Sequence, residues 1–550
     1  MNNIKKIFVA GLVCCGFAAA PTTLASCSDD DFAGDAQKNW AGTTETFSAV
    51  NDDTDDAFST YYKHALGRIG DPMPFYDKKA GDFKVLYLQD YNNNSEFYHP
   101  IWAVSTKDGC HYESLGEIIA AGTNADQQDA AIGTGCAVYN EKEGLYYIYY
   151  TGENARCESR QVVMRATSSD FKTWTKDREW RLNGPDYGFS GQDFRDPQIF
   201  EDGGVYYMVI VSKNRFAYFK SSNLKDWTCE GGFNMVWDRM CECPDVFKMG
   251  NWWYLVYSEA YPTSWSRKVK YMMAKSFQGL KDCFGDPGAH WPQDGKEGVL
   301  DTRAFYAGKT ASDGTDRYIW GWCPIREGAT LFDKNVNVGA DGEPAWAGAL
   351  VCHKIIQHAD GTLTLGAVPA IGNKYTKDAA LNIMDSNGYN NGTLTGDDAY
   401  VLYNRLGACN HISFTVKTAG NSDKFGISVV RSTDPEYYYT MVVNPENDNW
   451  RKVNFEEEGF RIEEEFDGTE TKIKKIYGKG FIRGIDGYGF ARPADNTYKV
   501  DIYTDNSVLV MYINDNVCYT NRIYGITKNC WSINSYGGTV TISDVKVSHQ

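Results

Sequence analysis

Between residues 63 and 350 the chain switches repeatedly between short apolar, aromatic-rich runs and polar breaks rich in Gly, Asp and Asn. The runs occupy 85–88, 145–150, 205–211, 252–257 and 317–322, so successive starts lie 60, 60, 47 and 65 residues apart. Such short runs suit buried strands better than core helices. A second element follows several of them: Ser105, Asp108 and Tyr112; Ser168, Asp170 and Trp174; Ser221, Asn223 and Trp227. In each, a Ser opens a short turn, an acid or amide follows, and an aromatic closes the next strand. A unit of this length holding several strands predicts a β-propeller, because each unit has a face that only its neighbours can bury. Five runs predict five blades. An irregular β-sandwich with chance spacing is the alternative, and recurrence of both elements argues against it.

Residues 361–366 have the pattern of a connecting hairpin. From about 380 onward the apolar positions alternate in short strands, as at 426–430, 498–503 and 507–513, separated by Gly, Asn and Asp. A period of two predicts a β-sandwich of jelly-roll or lectin type. The expected fold class is all-β: a five-bladed propeller over 63–360, then a β-sandwich over 361–550.

Upstream, Lys5 and Lys6 precede an apolar run, 7–20, too short for a comfortable membrane span. Leu24-Ala25-Ser26-Cys27 resembles the bacterial lipoprotein cleavage box, whose Cys becomes the lipidated first residue. The acidic Ser28-Asp29-Asp30-Asp31 resembles the surface-export signal of Bacteroidetes-type lipoproteins. The expectation is a signal peptide over 1–26, a lipid anchor at Cys27 and a flexible tether over 27–62, rich in Asp, Ser, Thr and Ala. The protein would then sit at the bacterial cell envelope, held to the outer membrane and open to display at the surface. An ordinary secretory signal with an accidental Cys is the alternative.

Charge narrows the partners. Asp and Glu number 72 against 55 Lys and Arg, a formal charge of -17. That disfavours nucleic acid and suits a neutral substrate. The 14% aromatic share suits strands and sites that stack on sugar rings. The 15 Cys include no CxxC pair and the eight His do not cluster with them, so neither a metal nor a cofactor is expected.

Hydrolysis of a glycosidic bond needs two carboxyl groups flanking the anomeric carbon, one ionised and one protonated. The inner strands of a propeller can bring together acids far apart in sequence. Three candidates precede aromatic runs: Asp71 in Gly70-Asp71-Pro72, Asp196 in Arg195-Asp196-Pro197, and Glu242 in Cys241-Glu242-Cys243-Pro244. Pro restricts its predecessor to extended backbone, which predicts a fixed direction for Asp71 and Asp196.

Together these motifs resemble glycoside hydrolase family 32, the β-fructofuranosidases that include invertases, inulinases and levanases. Its Arg-Asp-Pro and Glu-Cys-Pro signatures stand intact at 195–197 and 242–244. Tyr87-Leu88-Gln89, Ala103-Val104-Ser105, Asp301 with Phe305-Tyr306-Ala307, Gly321-Trp322 and Asp505-Asn506-Ser507 match further segments, covering nearly the whole mature chain. The resemblance implies a retaining enzyme acting on fructans or fructo-oligosaccharides of levan, inulin or sucrose type. Asp71 would be the nucleophile, Asp196 the stabiliser of the transition state, with Arg195 beside it, and Glu242 the acid and base. Gln89 falls among the substrate-binding positions. Trp102 and Trp322 are candidate stacking platforms, a core position for Trp102 being equally open. Asp245 is a contributor only if it is not a structural strand residue.

Departures from the family pattern cluster around the same site. The usual Asn-Asp-Pro-Asn-Gly is Gly70-Asp71-Pro72-Met73-Pro74, Trp102 replaces a His, and Cys241 replaces a Trp. Two alternatives stay open: an inverting propeller hydrolase of arabinan or xylan type, and a surface glycan-binding lipoprotein without catalysis.

Overall fold

The computed structural model describes residues 59–550 except 65–66, 92–94, 96, 236–240, 260–267, 286–297, 303, 325–345, 432–438, 445–451, 459–460, 467–470, 478–489, 524–525 and 528. The expected signal peptide, Cys27 and nearly all of the expected tether lie outside the described residues.

The fold is all-β, with the N-terminal part built of four-stranded units. One sheet holds β1 (Arg68–Asp77), β2 (Asp82–Asp90), β3 (Ile101–Thr106) and β4 (Glu113–Ile119). The next holds β5 (Ala131–Asn140), β6 (Leu145–Glu153), β7 (Gln161–Ser168) and β8 (Thr175–Leu182). A third contains β9 (Arg195–Asp202), β10 (Val205–Ser212), β11 (Arg215–Ser221) and β12 (Thr228–Asn234). A fourth contains β13 (Cys241–Met249), β14 (Trp252–Glu259), β15 (Lys268–Ala274) and β16 (Gly298–Val299). Then β17 (Tyr306–Ser312), β18 (Arg317–Pro324), β19 (Gly348–Gln357) and β20 (Leu363–Gly366) follow, and β19 also pairs with β1 through Ile69 and Gly348. The first sheet is thereby continuous with the last.

The five apolar runs are the second strands of these units. β2, β6, β10, β14 and β18 are buried along most of their length because sheets pack against both of their faces. The outermost strands β4, β8 and β12 mix exposed charges with apolar positions, which protects free edges from pairing with other chains. The repeated turn motif joins the third and fourth strands. Ser168 and Ser221 donate to Asp170 and Asn223, whose side chains accept backbone N–H groups ahead. In the first unit Thr106, not Ser105, takes the hydroxyl's place, against Asp108. The first strands β1, β5, β9, β13 and β17 lie side by side in that order, and β17 returns to β1.

Two boundaries shift. The folded body already includes 59–62, placed in the tether by composition. The backbone N–H groups of Ser59, Thr60 and Tyr61 all donate to the Asp505 carboxylate, and Tyr61 is buried. Downstream, β20 pairs with β19 as far as Gly366, so a division at 360 cuts a hairpin.

The C-terminal part is a sandwich of two antiparallel sheets. One orders Thr393–Thr395, Thr539–His549, Cys409–Thr418, Thr497–Asp505, Val508–Ile513 and Val517–Arg522; the other orders Ile383–Asn387, Ala399–Tyr403, Cys530–Ser535, Phe425–Arg431, Tyr439–Asn444 and Lys452–Glu458. Alternate residues of both sheets, among them Ile412, Phe414, Val500, Ile427 and Trp531, fill the space between them. Val508, Val510, Tyr512 and Cys518 instead join a core shared with Tyr254, Val351 and Ile355, which seats the sandwich on the N-terminal part.

Candidate active site

All five first strands carry the same irregularity. Pairing slips between Gly70 and Met73 in β1, Gly133 and Gly135 in β5, Glu242 and Asp245 in β13, and Tyr306 and Lys309 in β17. In β9 it slips between Arg195 and Gln198, opposite Val211 and Val209. Such bulges bend a strand and re-aim its side chains. At three of them the backbone enters the left-handed region: φ is 58° at Asp196, 50° at Cys243 and 54° at Ala307. The expectation that Pro197 holds Asp196 extended therefore fails. The bulge overrides the preference because neighbours secure it: the Asp196 N–H donates to Thr151 Oγ1 (3.0 Å), and the Cys243 N–H donates to Asp196 Oδ2 (2.9 Å). Strain of this kind costs about 1–3 kcal/mol per residue and concentrates at functional sites.

The bulges place Asp71, Thr134, Asp196, Glu242 and Tyr306 in one network. Asp71 is held at both oxygens: Thr134 Oγ1 donates to Oδ2 (2.6 Å) and Trp322 Nε1 to Oδ1 (2.9 Å). Glu242 is held likewise: Arg195 Nη2 donates to Oε1 (3.1 Å) and the Tyr306 hydroxyl to Oε2 (2.7 Å). Arg195 also pairs with Asp193 and lies 3.8 Å from Asp196 Oδ2. Asp196 is only 3% exposed. Burial pushes its carboxyl up to about 6, against the pull of Arg195, and the charges of Glu242 and Asp71 push the same way. Burial, together with Asp71, Asp196 and Glu242, likewise drives the Cys243 thiol well above its usual value. The three acids thus share one electrostatic environment. Glu242 keeps a quarter of its side chain exposed.

The other expected site residues divide. Gln89 is 0% exposed; its Nε2 faces the Asp90 carbonyl, and its Oε1 has no hydrogen-bond partner. Trp322 is fully buried and holds Asp71, so it is no open stacking surface. Trp102 sits in β3, two strands out from the acids, edge-on to His64 at 4.5 Å and packed on the shared core. Of the two readings left open for it, platform or core, its position matches the core. Asp245 is structural: Oδ2 accepts the Thr310 N–H (2.8 Å) and hydroxyl (2.5 Å).

Three kinds of residue were given no role by motif reading. Thr134 and Tyr306 reach the acids from strands 63 and 64 residues away in sequence. Their signal is positional: each occupies the bulge of its own first strand. The third is an aromatic wall. Trp346 stacks on His99 (4.4 Å, 22°) and meets the edge of Trp322 at 6.3 Å. A Cβ at Gly70 would fall 2.1 Å from Trp346 Cη2, so this wall occupies space that a side chain before Asp71 would need. His99 itself has a φ of 59°, and burial lowers its pKa despite Asp90 and Asp71 nearby.

A cavity of about 590 Å³ opens at the far end of β1, lined by Asp77, Lys84, Leu115, Tyr146 and Phe171. It contains none of the three acids. Among the described residues, the one grouping able to hold a metal ion is also elsewhere, at the seat of the sandwich.

Residues 67–365 match the model of the glycosyl hydrolases family 32 N-terminal domain, and 361–547 match that of the GH32, BT1760-like, C-terminal domain. The chain is 25% identical over 333 residues to a sucrose-6-phosphate hydrolase of Escherichia coli, covering 56% of this chain. It is 26% identical over 362 residues to a levanbiose-producing levanase of Bacillus subtilis (strain 168), covering 60%. The matches span 64% of the length of each of these two relatives. In fold it is similar to an exo-inulinase from Aspergillus awamori (TM-score 0.67, 16% identity, 91% of this chain and 98% of that one). It is also similar to a sucrose-6-phosphate hydrolase from Lactobacillus gasseri (TM-score 0.64, 15% identity, 94% and 96%).

Proposed function

The chain belongs to glycoside hydrolase family 32, and from that premise we propose that it hydrolyses β-fructofuranosidic bonds in fructans or fructo-oligosaccharides, with retention of configuration. The observation that carries this reading is the paired grip on two acids: Asp71 by Thr134 and Trp322, Glu242 by Arg195 and Tyr306. Both acids are oriented, and Asp196 joins the same network through the Cys243 N–H and, at 3.8 Å, Arg195.

In the first step the Asp71 carboxylate attacks the fructosyl C2 while the C2–O bond breaks and Glu242 gives its proton to the leaving oxygen. In the second, Glu242 takes a proton from water, the water oxygen bonds to C2, and Asp71 leaves as a carboxylate. Asp196 accepts hydrogen bonds from sugar hydroxyls as charge develops at C2. Its carboxyl near 6 means that this role fades in more acidic solution. The unpartnered Gln89 Oε1 suits a ligand hydroxyl, since buried acceptors are rarely left unsatisfied. Gly70 and the Trp346–His99 wall make the surface beside Asp71 apolar where the family pattern has an amide. A sugar there would be met by stacking on its C–H face.

The returning order of first strands, β17 beside β1, supports five blades, the first and last sharing one continuous sheet. The catalytic part then runs from 63 to the end of β20 at Gly366, and 367–550 is the sandwich that buttresses it. The lipoprotein box supports attachment at Cys27 to the outer membrane, with products released next to the envelope. Loss of lipid labelling in Cys27→Ala tests that anchor.

The test of function is product analysis over time on levan, inulin and sucrose, with Asp71→Asn and Glu242→Gln as controls. Fructose or fructo-oligosaccharides released by the parent and not by Asp71→Asn support the reading. Binding without release from any of them leaves a glycan-binding protein, and inverted products leave an inverting hydrolase.

A further inference from the structure

Where the sandwich meets the N-terminal part, three side chains of metal-binding type converge in full burial. Asp301 follows β16, His353 lies in β19, and Cys518 belongs to the sandwich strand Val517–Arg522. Their ligand atoms all lie within 4.8 Å of one another. His353 Nε2 is 3.2 Å from Asp301 Oδ2, Cys518 Sγ is 3.3 Å from the same oxygen, and Cys518 Sγ is 3.8 Å from His353 Nε2. Metal–ligand bonds of about 2.0–2.3 Å at tetrahedral angles put ligands about 3.4–3.6 Å apart. Two of its sides are close to that size; Cys518 Sγ stands beside the ring, 3.6 Å from His353 Nδ1 and 3.8 Å from Nε2, and swings in front of Nε2 to share an ion with it.

The surroundings match those of a metal site as well. His353 Nδ1 is 2.8 Å from the Tyr512 hydroxyl, which fixes the ring. Asp301 Oδ1 accepts the N–H groups of Thr302 (2.7 Å) and Thr520 (2.9 Å), leaving Oδ2 to the cluster. The Thr520 hydroxyl donates to Oδ2 (2.6 Å) and sits 3.3 Å from Nε2. Asp301 is 0% exposed, and among the described residues its ion-pair partner is His353 rather than any Lys or Arg. A bound cation would neutralise this carboxylate, whose burial is otherwise costly.

We propose that Asp301, His353 and Cys518 form a structural zinc site that pins the sandwich to the N-terminal part. An N/O/S donor set suits Zn²⁺ over hard cations such as Ca²⁺ or Mg²⁺, and three protein ligands leave one position to water or to Thr520. Zinc binding expels the Cys518 thiol proton, and the thiolate bonds to the metal. The site reaches toward the acids along the chain: four residues after Asp301 comes Phe305, which packs on His353 at 4.7 Å, and Tyr306 follows with its hydrogen bond to Glu242. The sequence hides the site because Cys518 lies 165 residues from His353 and 217 from Asp301.

The experiment is elemental analysis of the untagged mature chain, as purified and after incubation with zinc followed by desalting. The proposal expects about one zinc per chain, falling below about 0.1 in Cys518→Ser and His353→Gln. Cobalt loading of the parent gives a thiolate-to-cobalt absorption band that Cys518→Ser lacks. If the variants do not fold, the parent's zinc content and that band still decide. A parent that holds no zinc after either treatment overturns the proposal, as does a full equivalent retained by both folded variants. Neither outcome bears on the fructosidase reading, which rests on other residues.

Discussion

The bulges of β1, β9 and β13 present carboxylates, and those of β5 and β17 present hydroxyls. The backbone irregularity is the same in all five. What differs is the side chain each one carries, and the difference is complementary. Thr134 holds Asp71, and Tyr306 holds Glu242. Among the described residues Asp196 has no hydroxyl partner of this kind; a backbone N–H from the next strand serves instead. The site is therefore a repeated backbone device, and on the proposed mechanism its positions divide into groups that react and groups that aim them.

That division has consequences of graded size. Asp71→Asn removes the attacking group and should lower kcat by roughly 10⁴-fold or more with the fold intact, as measured by steady-state kinetics beside circular dichroism. Glu242→Gln should lose about 10²–10⁴-fold on natural substrates, and far less on a fructoside whose leaving group needs no proton. Equal losses on both substrates would deny Glu242 its role as acid. Tyr306→Phe and Thr134→Val keep the acids but release them. A hydrogen bond to a charged group is worth about 1.5–3 kcal/mol, so each should cost roughly 10–100-fold in kcat. Losses as large as that of Asp71→Asn would erase the distinction between acting and aiming groups.

Asp196 supplies a test of sign. Its carboxyl, near 6 in the folded protein, exceeds the ordinary value of 3.8. The native state then binds the proton more tightly than the unfolded state between those limits. Stability from this group is greatest below about 4 and is lost as pH rises through 6. Asp196→Asn should thus gain on the parent between pH 4 and pH 7, by up to about 2–3 kcal/mol, in denaturant titrations at several pH values. A flat or reversed difference would contradict the burial argument. The smallest effect belongs to Trp102→Ala. Its kcat/KM should stay within about threefold of the parent, because Trp102 packs on His64 and the core rather than the acids.

Much of this was legible in the chain. The apolar runs marked the second strands because burial on both faces leaves a continuous signature. The acids were visible because short motifs surround them. The hydroxyl partners were not, since a Thr or Tyr at a bulge has no pattern of its own until the strands are laid side by side. The Pro rule misplaced Asp196 because local preference yields to hydrogen bonds made from neighbouring strands. Trp102 and Trp322 were candidate stacking platforms, with a core position for Trp102 equally open, and strand position decides between these: one is in the third strand out, the other is buried and donates its N–H to Asp71. The tether was drawn too long because polar composition cannot show that Asp505, over 440 residues away, receives the N–H groups of 59–61.

The central claim, that Asp71 forms a bond to the sugar while Glu242 moves protons, is tested most directly by mass mapping. Glu242→Gln is mixed with a fructosyl donor carrying an activated leaving group, quenched in acid and digested. The account predicts one fructosyl residue on the peptide containing Asp71, absent when Asp71→Asn is added. An unmodified protein that still turns the donor over, or a label on another carboxylate, would contradict it.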